Sequence, residues 1–242
     1  MTTALITGAS RGIGAATATR LAEGGVDIVI NYRNKQARAG TVADRVRATG
    51  RRALTVAADL TDTDATEVML TKTTDVFGAL DLLILNASGG LEQDVPADYA
   101  MRLNRDAQVA LARSAAARMD SGGRIVFVTS HEAHFYGAGA TIGAYAPVAA
   151  SKQAGERALL GCEQEFADRG ISLVVVSGDL IDDTITAKLL DRVHPGLIEE
   201  RRDQAGYLPS IDDFSNAIAD AALAPDPAKI IFVGEVRPEH RR

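Results

Sequence analysis

The amino-acid sequence predicts an α/β fold of the doubly wound kind, a seven-stranded parallel sheet with helices on both faces. Two patterns carry this expectation. Short runs rich in Val, Ile and Leu alternate with longer Ala-rich segments whose apolar residues recur at helical spacing. The short runs are apolar at consecutive positions, so both of their faces must be covered, and a helix between successive strands makes a parallel crossover the economical solution.

The elements follow in order. TALITG (3–8) reads as the first strand and runs through a glycine turn into the helical segment IGAATATRLAEGG, which a Gly pair ends. VDIVIN (26–31) and ALTVAA (53–58) are the second and third strands, joined by KQARAGTVADRVRATG. TDATEVMLTKTTDVFG leads to the fourth strand, LDLLILNA (80–87), and a continuous helix is expected over YAMRLNRDAQVALARSAAARM (99–119). RIVFVTS (124–130), the helix ASKQAGERALLGCEQEFADRG (150–170) and ISLVVVS (171–177) come next. SIDDFSNAIADAAL (210–223) and KIIFVG (229–234) close the pattern. Residues 178–209 form a long excursion with helical pieces of its own, and such excursions are usually lids or binding loops, which places a substrate cover here.

At 242 residues with no sharp shift in composition, one domain over 1–242 is expected. A net charge of −6 argues against a broad nucleic-acid surface, and the basic run Arg237, His240, Arg241, Arg242 reads as a solvated tail. No apolar run approaches the ~20 residues that span a bilayer, and the start lacks the marks of a secretory signal, so a cytoplasmic location is expected. The single Cys162 has no partner for an internal disulfide and reads as a packed thiol.

Gly8, Gly12 and Gly14 fall at the first strand-to-helix turn. Glycines there let backbone N–H groups approach a pyrophosphate, with the positive end of the helix dipole behind them. The pattern Thr7, Gly8, Gly12, Gly14 is joined by Asp59–Leu60 after the third strand, Asn86–Ala87 after the fourth, Asn104 in the long helix, Ser130 ending the fifth strand, and Lys152. In these motifs the chain resembles the short-chain dehydrogenase/reductase family along essentially its whole length. The resemblance implies a Rossmann-type nucleotide-binding domain that transfers hydride between a nicotinamide cofactor and a carbonyl or alcohol. It implies cofactor contacts at Gly8, Ser10, Arg11, Gly12, Ile13, Gly14, Asn31, Arg33, Asp59, Leu60, Asn86, Ala87, Ser88, Lys152, Gly178, Ile181 and Thr184. Homodimers or homotetramers, paired through the helices near 98–119 and 149–169, are implied as well. Ser88 stands where the family has glycine, and Ser177 where it has proline.

The cofactor is expected to be NADP(H) rather than NAD(H). Asn31 stands where an acid ending the second strand would hold the ribose hydroxyls, and Arg33, Lys35 and Arg11 can converge on a 2′-phosphate.

The catalytic set is Asn104, Ser130, Tyr145 and Lys152, and the tyrosine is out of place. The family's tyrosine lies four residues before the lysine, where this chain has Val148; Tyr145 is seven before. On a regular helix seven residues leave about 10 Å between Cα atoms. Three readings stand. Tyr145 reaches Ser130 from a loop, with Pro147 starting the helix near 147 or 148. Alternatively Val148 leaves the phenol position empty, and His131, His134, Tyr136 or a water moves the proton. Or the pocket keeps the cofactor without efficient turnover. Asp179, Asp182 and Asp183 are read as carboxylates favouring a helix N-terminus.

Overall fold

The computed structural model describes residues 1–92, 95–138 and 141–236; the basic run from Arg237 lies outside the described residues. Seven strands form one sheet: β1 (Thr3–Ile6), β2 (Asp27–Tyr32), β3 (Ala53–Ala57), β4 (Leu82–Leu85), β5 (Arg124–Ser130), β6 (Ser172–Gly178) and β7 (Ile230–Val233). Every pairing is parallel, in the order β3-β2-β1-β4-β5-β6-β7. The order reverses between β1 and β4, which opens a crevice above their carboxyl ends where such sheets place ligands.

Alternate residues of the strands feed two apolar layers. Ala4, Ile6, Ile28, Ile84 and Val126 pack under α1 (Gly12–Glu23), α2 (Gln36–Ala48) and α11 (Ile211–Leu223). Leu5, Val29, Leu83, Ile125 and Phe127 pack under α3 (Thr63–Phe77), α5 (Gln108–Ala116) and α7 (Ala146–Gly161). Strands buried on both faces explain the unbroken apolar runs in the sequence. Cys162 is buried with a free thiol, its Sγ donating to the Ala158 carbonyl at 3.2 Å.

Three elements differ from expectation. The helix expected over 99–119 is a short α4 (Tyr99–Met101), a π turn (Arg102–Ala107) and then α5. The wide turn places the buried Asn104 amide against Gly89 and Ser151, a constraint that apolar periodicity does not carry. The helix expected over 150–170 begins earlier, at Ala146 with Pro147 in its first turn, and breaks at Cys162 before α8 (Glu163–Ala167). The second strand continues through Tyr32 rather than ending at Asn31, so the first residue beyond it is Arg33.

The excursion supplies α9 (Ile185–Val193) and α10 (Leu197–Ala205). Asp179 takes a bidentate bond from the buried Arg201 of α10, and Asp182 pairs with Arg202 at 2.9 Å. These two carboxylates therefore pin the excursion and do not start its helix; Thr184 caps α9, accepting from the Ala187 N–H.

The closest backbone approach among the described glycines is at Gly155, where an added Cβ would lie 2.1 Å from the Asn104 carbonyl oxygen. Two helix backbones meet there and neither is a flexible side chain that can yield. Gly155→Ala is expected to cost about 2–3 kcal/mol and lower the melting temperature by roughly 5–10 °C, read by thermal unfolding.

Candidate active site

The glycine turn is shaped by two asparagines. Gly8 and Gly12 hold φ values of +63° and +54°, the left-handed region that glycine enters without strain. The Gly8 N–H donates to Asn31 Oδ1 at 3.2 Å, and Asn31 Nδ2 donates to the Ala58 carbonyl at 3.1 Å. Asn31 is thus an internal tie between the turn and β3. Asn86 Nδ2 donates to the Thr7 carbonyl at 2.9 Å, and Thr7 Oγ1 accepts from the N–H groups of Asn86 and Ala87. A Cβ on Gly14 would meet Asn86 Nδ2 at 2.6 Å, so the helix start fits against β4 only as glycine. Asp59 Oδ1 accepts from both the N–H and the hydroxyl of Thr61, which fixes the loop after β3.

A cavity of about 720 Å³ opens above these strands. Its wall contains Gly8, Ser10, Arg11, Gly12, Ile13, Gly14, Asn31, Arg33, Asp59, Leu60, Asn86, Ala87, Ser88, Ser130, Tyr145, Lys152, Gly178, Ile181 and Thr184. Of the catalytic and cofactor-contact residues expected from the sequence, Asn104 stands outside that wall. Its side chain is consumed behind it: Nδ2 donates to the Gly89 carbonyl at 2.8 Å and to Ser151 Oγ at 2.9 Å, and Oδ1 accepts from the Gly89 N–H at 3.2 Å. Asn104 places α7 and the loop after β4; both of its amide N–H groups are committed to protein acceptors, and one lone pair of Oδ1 stays open.

The tyrosine question has a geometric answer. Tyr145 ends a 3₁₀ turn (Gly143–Tyr145) directly before α7, and its phenol oxygen lies 3.3 Å from Ser130 Oγ. The chain enters the helix by a turn tighter than the helix itself, which brings the phenol to the end of β5. Val148 is buried on the same wall, next to Gly90, where a glycine Cβ would lie 3.2 Å from Val148 Cγ2. The phenol oxygen within reach of Ser130 is therefore that of Tyr145, and Val148 lies on the same cavity wall.

The alternative proton carriers have surroundings of their own. His131, in the one-turn α6 (His131–His134), is buried and lines the cavity, and its ring stands edge-on to Phe135 and Phe232 at centroid distances of 6.2 and 5.6 Å. His134 Nδ1 lies 2.5 Å from Glu156 Oε1. Tyr136 packs in the apolar cluster around Tyr145, Val148 and Leu190.

Two side chains that sequence reasoning passed over complete the picture. Tyr99 receives a hydrogen bond from Arg33 Nη1. Glu156 is buried one helical turn beyond Lys152, with Oε2 unpartnered. The four-residue spacing on one helix was a signal for Glu156; nothing local marks Tyr99, 66 positions from Arg33.

The short chain dehydrogenase family model matches residues 2–193. The chain belongs to the short-chain dehydrogenase family. Versicolorin reductase 1 of Aspergillus parasiticus is 38% identical over 136 residues, 54% of this chain and 52% of that protein. This short-chain dehydrogenase thus spans about half the length of the curated relatives it matches. A short chain dehydrogenase from Burkholderia cenocepacia, solved in complex with NADP, is 28% identical with a TM-score of 0.80, covering 97% of this chain and 96% of that one. The angucycline C-6 ketoreductase LanV, with bound NADP, is 25% identical with a TM-score of 0.78, covering 97% and 95%.

Burial sets the electrostatics of this short-chain dehydrogenase's site. It pulls the Lys152 ammonium down to about 8, against the opposing pull of the Glu156 carboxylate. Burial pushes the Tyr145 phenol above its usual range; the Ser130 hydrogen bond opposes this, and Glu132 adds to it. Burial also lowers His131 to about 4, with Asp179 pulling the other way. Its folded value lies below the ordinary 6.5, so the unfolded chain takes up a proton first as pH falls. Stability is complete above pH 6.5 and falls through about 4, by at most about 3 kcal/mol for this group. His131→Leu is expected to flatten the acid side of the melting-temperature curve relative to the wild type, and parallel curves would exclude His131 as the source.

Proposed function

We propose that the protein reduces a neutral, largely apolar, ring-bearing ketone, with NADPH as the preferred cofactor. The observation that carries this reading is the Ser130–Tyr145 hydroxyl pair at 3.3 Å, on the wall of one cavity with the glycine turn and Lys152. The residues present fit a dinucleotide: the turn is left-handed at Gly8 and Gly12, and no atom lies within 4 Å of where a Cβ on Gly12 would be. Backbone amides of the turn would meet the pyrophosphate, and Lys152 would meet the nicotinamide-side ribose. When bound, the reduced cofactor supplies a hydride to the carbonyl carbon. Ser130 holds the carbonyl oxygen, and Tyr145 gives it a proton as it becomes an alkoxide.

Support for the phosphorylated cofactor comes from the absence of an acid at the end of β2 and the exposed Arg11 and Arg33 on the cavity wall. Two solved relatives were obtained with NADP. The substrate class rests on the far wall, where Leu91, Ile142, Val148, Leu180, Leu190 and Leu197 gather. Glu132 and Asp183, the latter paired with Lys188 at 3.0 Å, also line the cavity and oppose anionic substrates. Relatives named versicolorin reductase and hydroxynaphthalene reductase-like protein agree with such a pocket. Excursion helices α9 and α10 contribute Leu190 and Leu197, which gives residues 178–209 the role of a substrate cover. Self-association as a dimer or tetramer belongs to the same reading.

A second reading, cofactor binding without turnover, is favoured by one observation. Burial, with Glu132 as the charged group adding to it, favours the neutral form of the Tyr145 phenol. A neutral phenol remains a proton donor, so this limits oxidation more than reduction. Tyr145→Phe separates the readings. Reductive kcat on a panel of multi-ring ketones is expected to fall by about 100-fold or more, with NADPH affinity unchanged. Turnover equal to the wild type would remove Tyr145 from the chemistry. NADPH affinity is also expected to weaken above pH 8, where Lys152 loses its charge, and Lys152→Met is expected to lack that dependence.

A further inference from the structure

We propose that Tyr99 is the positioning residue that holds Arg33 for the 2′-phosphate of NADP(H), and that it thereby sets the preference for the phosphorylated cofactor. The proposal rests on the cofactor reading above and adds to it a residue from a distant part of the chain.

Arg33 is the first residue after β2, is exposed, and lines the cavity. A long exposed side chain samples many rotamers, and fixing it on a ligand costs conformational entropy. Here it is already held. Nη1 donates to the Tyr99 phenol oxygen, and the guanidinium carbon lies 5.8 Å from the centroid of the Tyr99 ring. Tyr99 is itself immobilised: it is 8% exposed, packs in one cluster with Leu60 and Leu103, and its N–H donates to the Pro96 carbonyl at 2.9 Å. A guanidinium carries five N–H donors in a fixed fork. The tyrosine engages one and leaves the others to face a phosphate bidentately.

The charges at this corner give the anchor its importance. Asp59 and Glu92 both act on the Tyr99 phenol, so negative charge already surrounds the place. An incoming phosphate dianion is opposed there unless a cation stays in position. Arg11 and Lys35 are exposed nearby in the chain, and among the described residues neither has such an anchor. Tyr99 also opens the helix that leads into the π turn carrying Asn104, so the arginine is tied to the element that places α7.

Calorimetric titration of NADPH, NADH, 2′,5′-ADP and 5′-ADP into wild type, Tyr99→Phe and Arg33→Ala tests this. Phenylalanine keeps the ring and loses the hydroxyl, and NADH binding serves as the control for an intact fold. Tyr99→Phe is expected to bind NADPH and 2′,5′-ADP about 5- to 10-fold more weakly, with NADH and 5′-ADP within about twofold of wild type. Arg33→Ala marks the largest loss attainable. A wild-type preference for NADPH that Tyr99→Phe retains in full, or equal weakening of NADPH and NADH in that variant, overturns the role of Tyr99 alone. Equal binding of NADPH and NADH by the wild type removes the cofactor reading and this inference with it.

Discussion

The site depends on how closely α7 lies against the turn that holds Asn104. A glycine at 155 lets the helix touch the Asn104 carbonyl, and the Asn104 amide then bonds to Ser151 on the same helix and to both main-chain groups of Gly89. Each such bond contributes about 1 kcal/mol net, but leaving a buried amide group unmade costs about 1–3 kcal/mol. The arrangement is therefore held by what its disruption would cost. With α7 fixed in depth, Lys152 and Val148 face the cavity and the 3₁₀ turn ahead of the helix delivers Tyr145 to Ser130. The π turn belongs to the same device: an ordinary helix over 99–119 would rotate Asn104 away from Gly89.

The cofactor end follows a parallel logic with different residues. Asn31 and Asn86 spend their side chains on main-chain groups of the turn and of neighbouring strands, so the cradle is preformed by internal hydrogen bonds. Polar residues near a binding site need not contact the ligand. They satisfy backbone groups that a positive-φ turn would otherwise leave open, and so keep the remaining amides directed outward. Reading Asn31 as a substitute for a ribose-binding acid captured the missing charge but not the work of the side chain, which is to tether Gly8 to β3.

The sheet was legible because strands covered on both faces leave continuous apolar runs, and all seven runs became strands of one parallel sheet. The glycine turn was legible for the same kind of reason, since Gly8 and Gly12 require a backbone conformation few other residues adopt. What escaped was set by contacts between distant segments. The interruption of the helix at Arg102–Ala107 answers to Gly89 and Ser151, and the pairing of Arg33 with Tyr99 joins positions far apart in sequence. The pairing of Asp179 and Asp182 with arginines of α10 is of this sort too; a carboxylate near a helix start looks the same in sequence whether it caps the helix or clamps its neighbour.

On the proposed function, a phenol at 145 with valine at 148 changes the proton chemistry as well as the shape. A tyrosine and lysine one turn apart share a face, and the ammonium then favours the phenolate. Tyr145 is placed a further turn away and feels burial and Glu132, both of which favour the neutral phenol. Lys152 in turn has Glu156 one turn beyond it as the charge that offsets its burial. The two functions that one tyrosine–lysine pair would couple are thus separated, with the phenol kept protonated beside Ser130 and the ammonium balanced from within α7. A protonated phenol can donate to a developing alkoxide without prior activation, whereas accepting a proton from an alcohol first requires a phenolate that this environment disfavours. On the proposed function, these local electrostatics would make reduction the better-served direction near neutral pH. The smaller Val148 side chain leaves its share of the wall apolar.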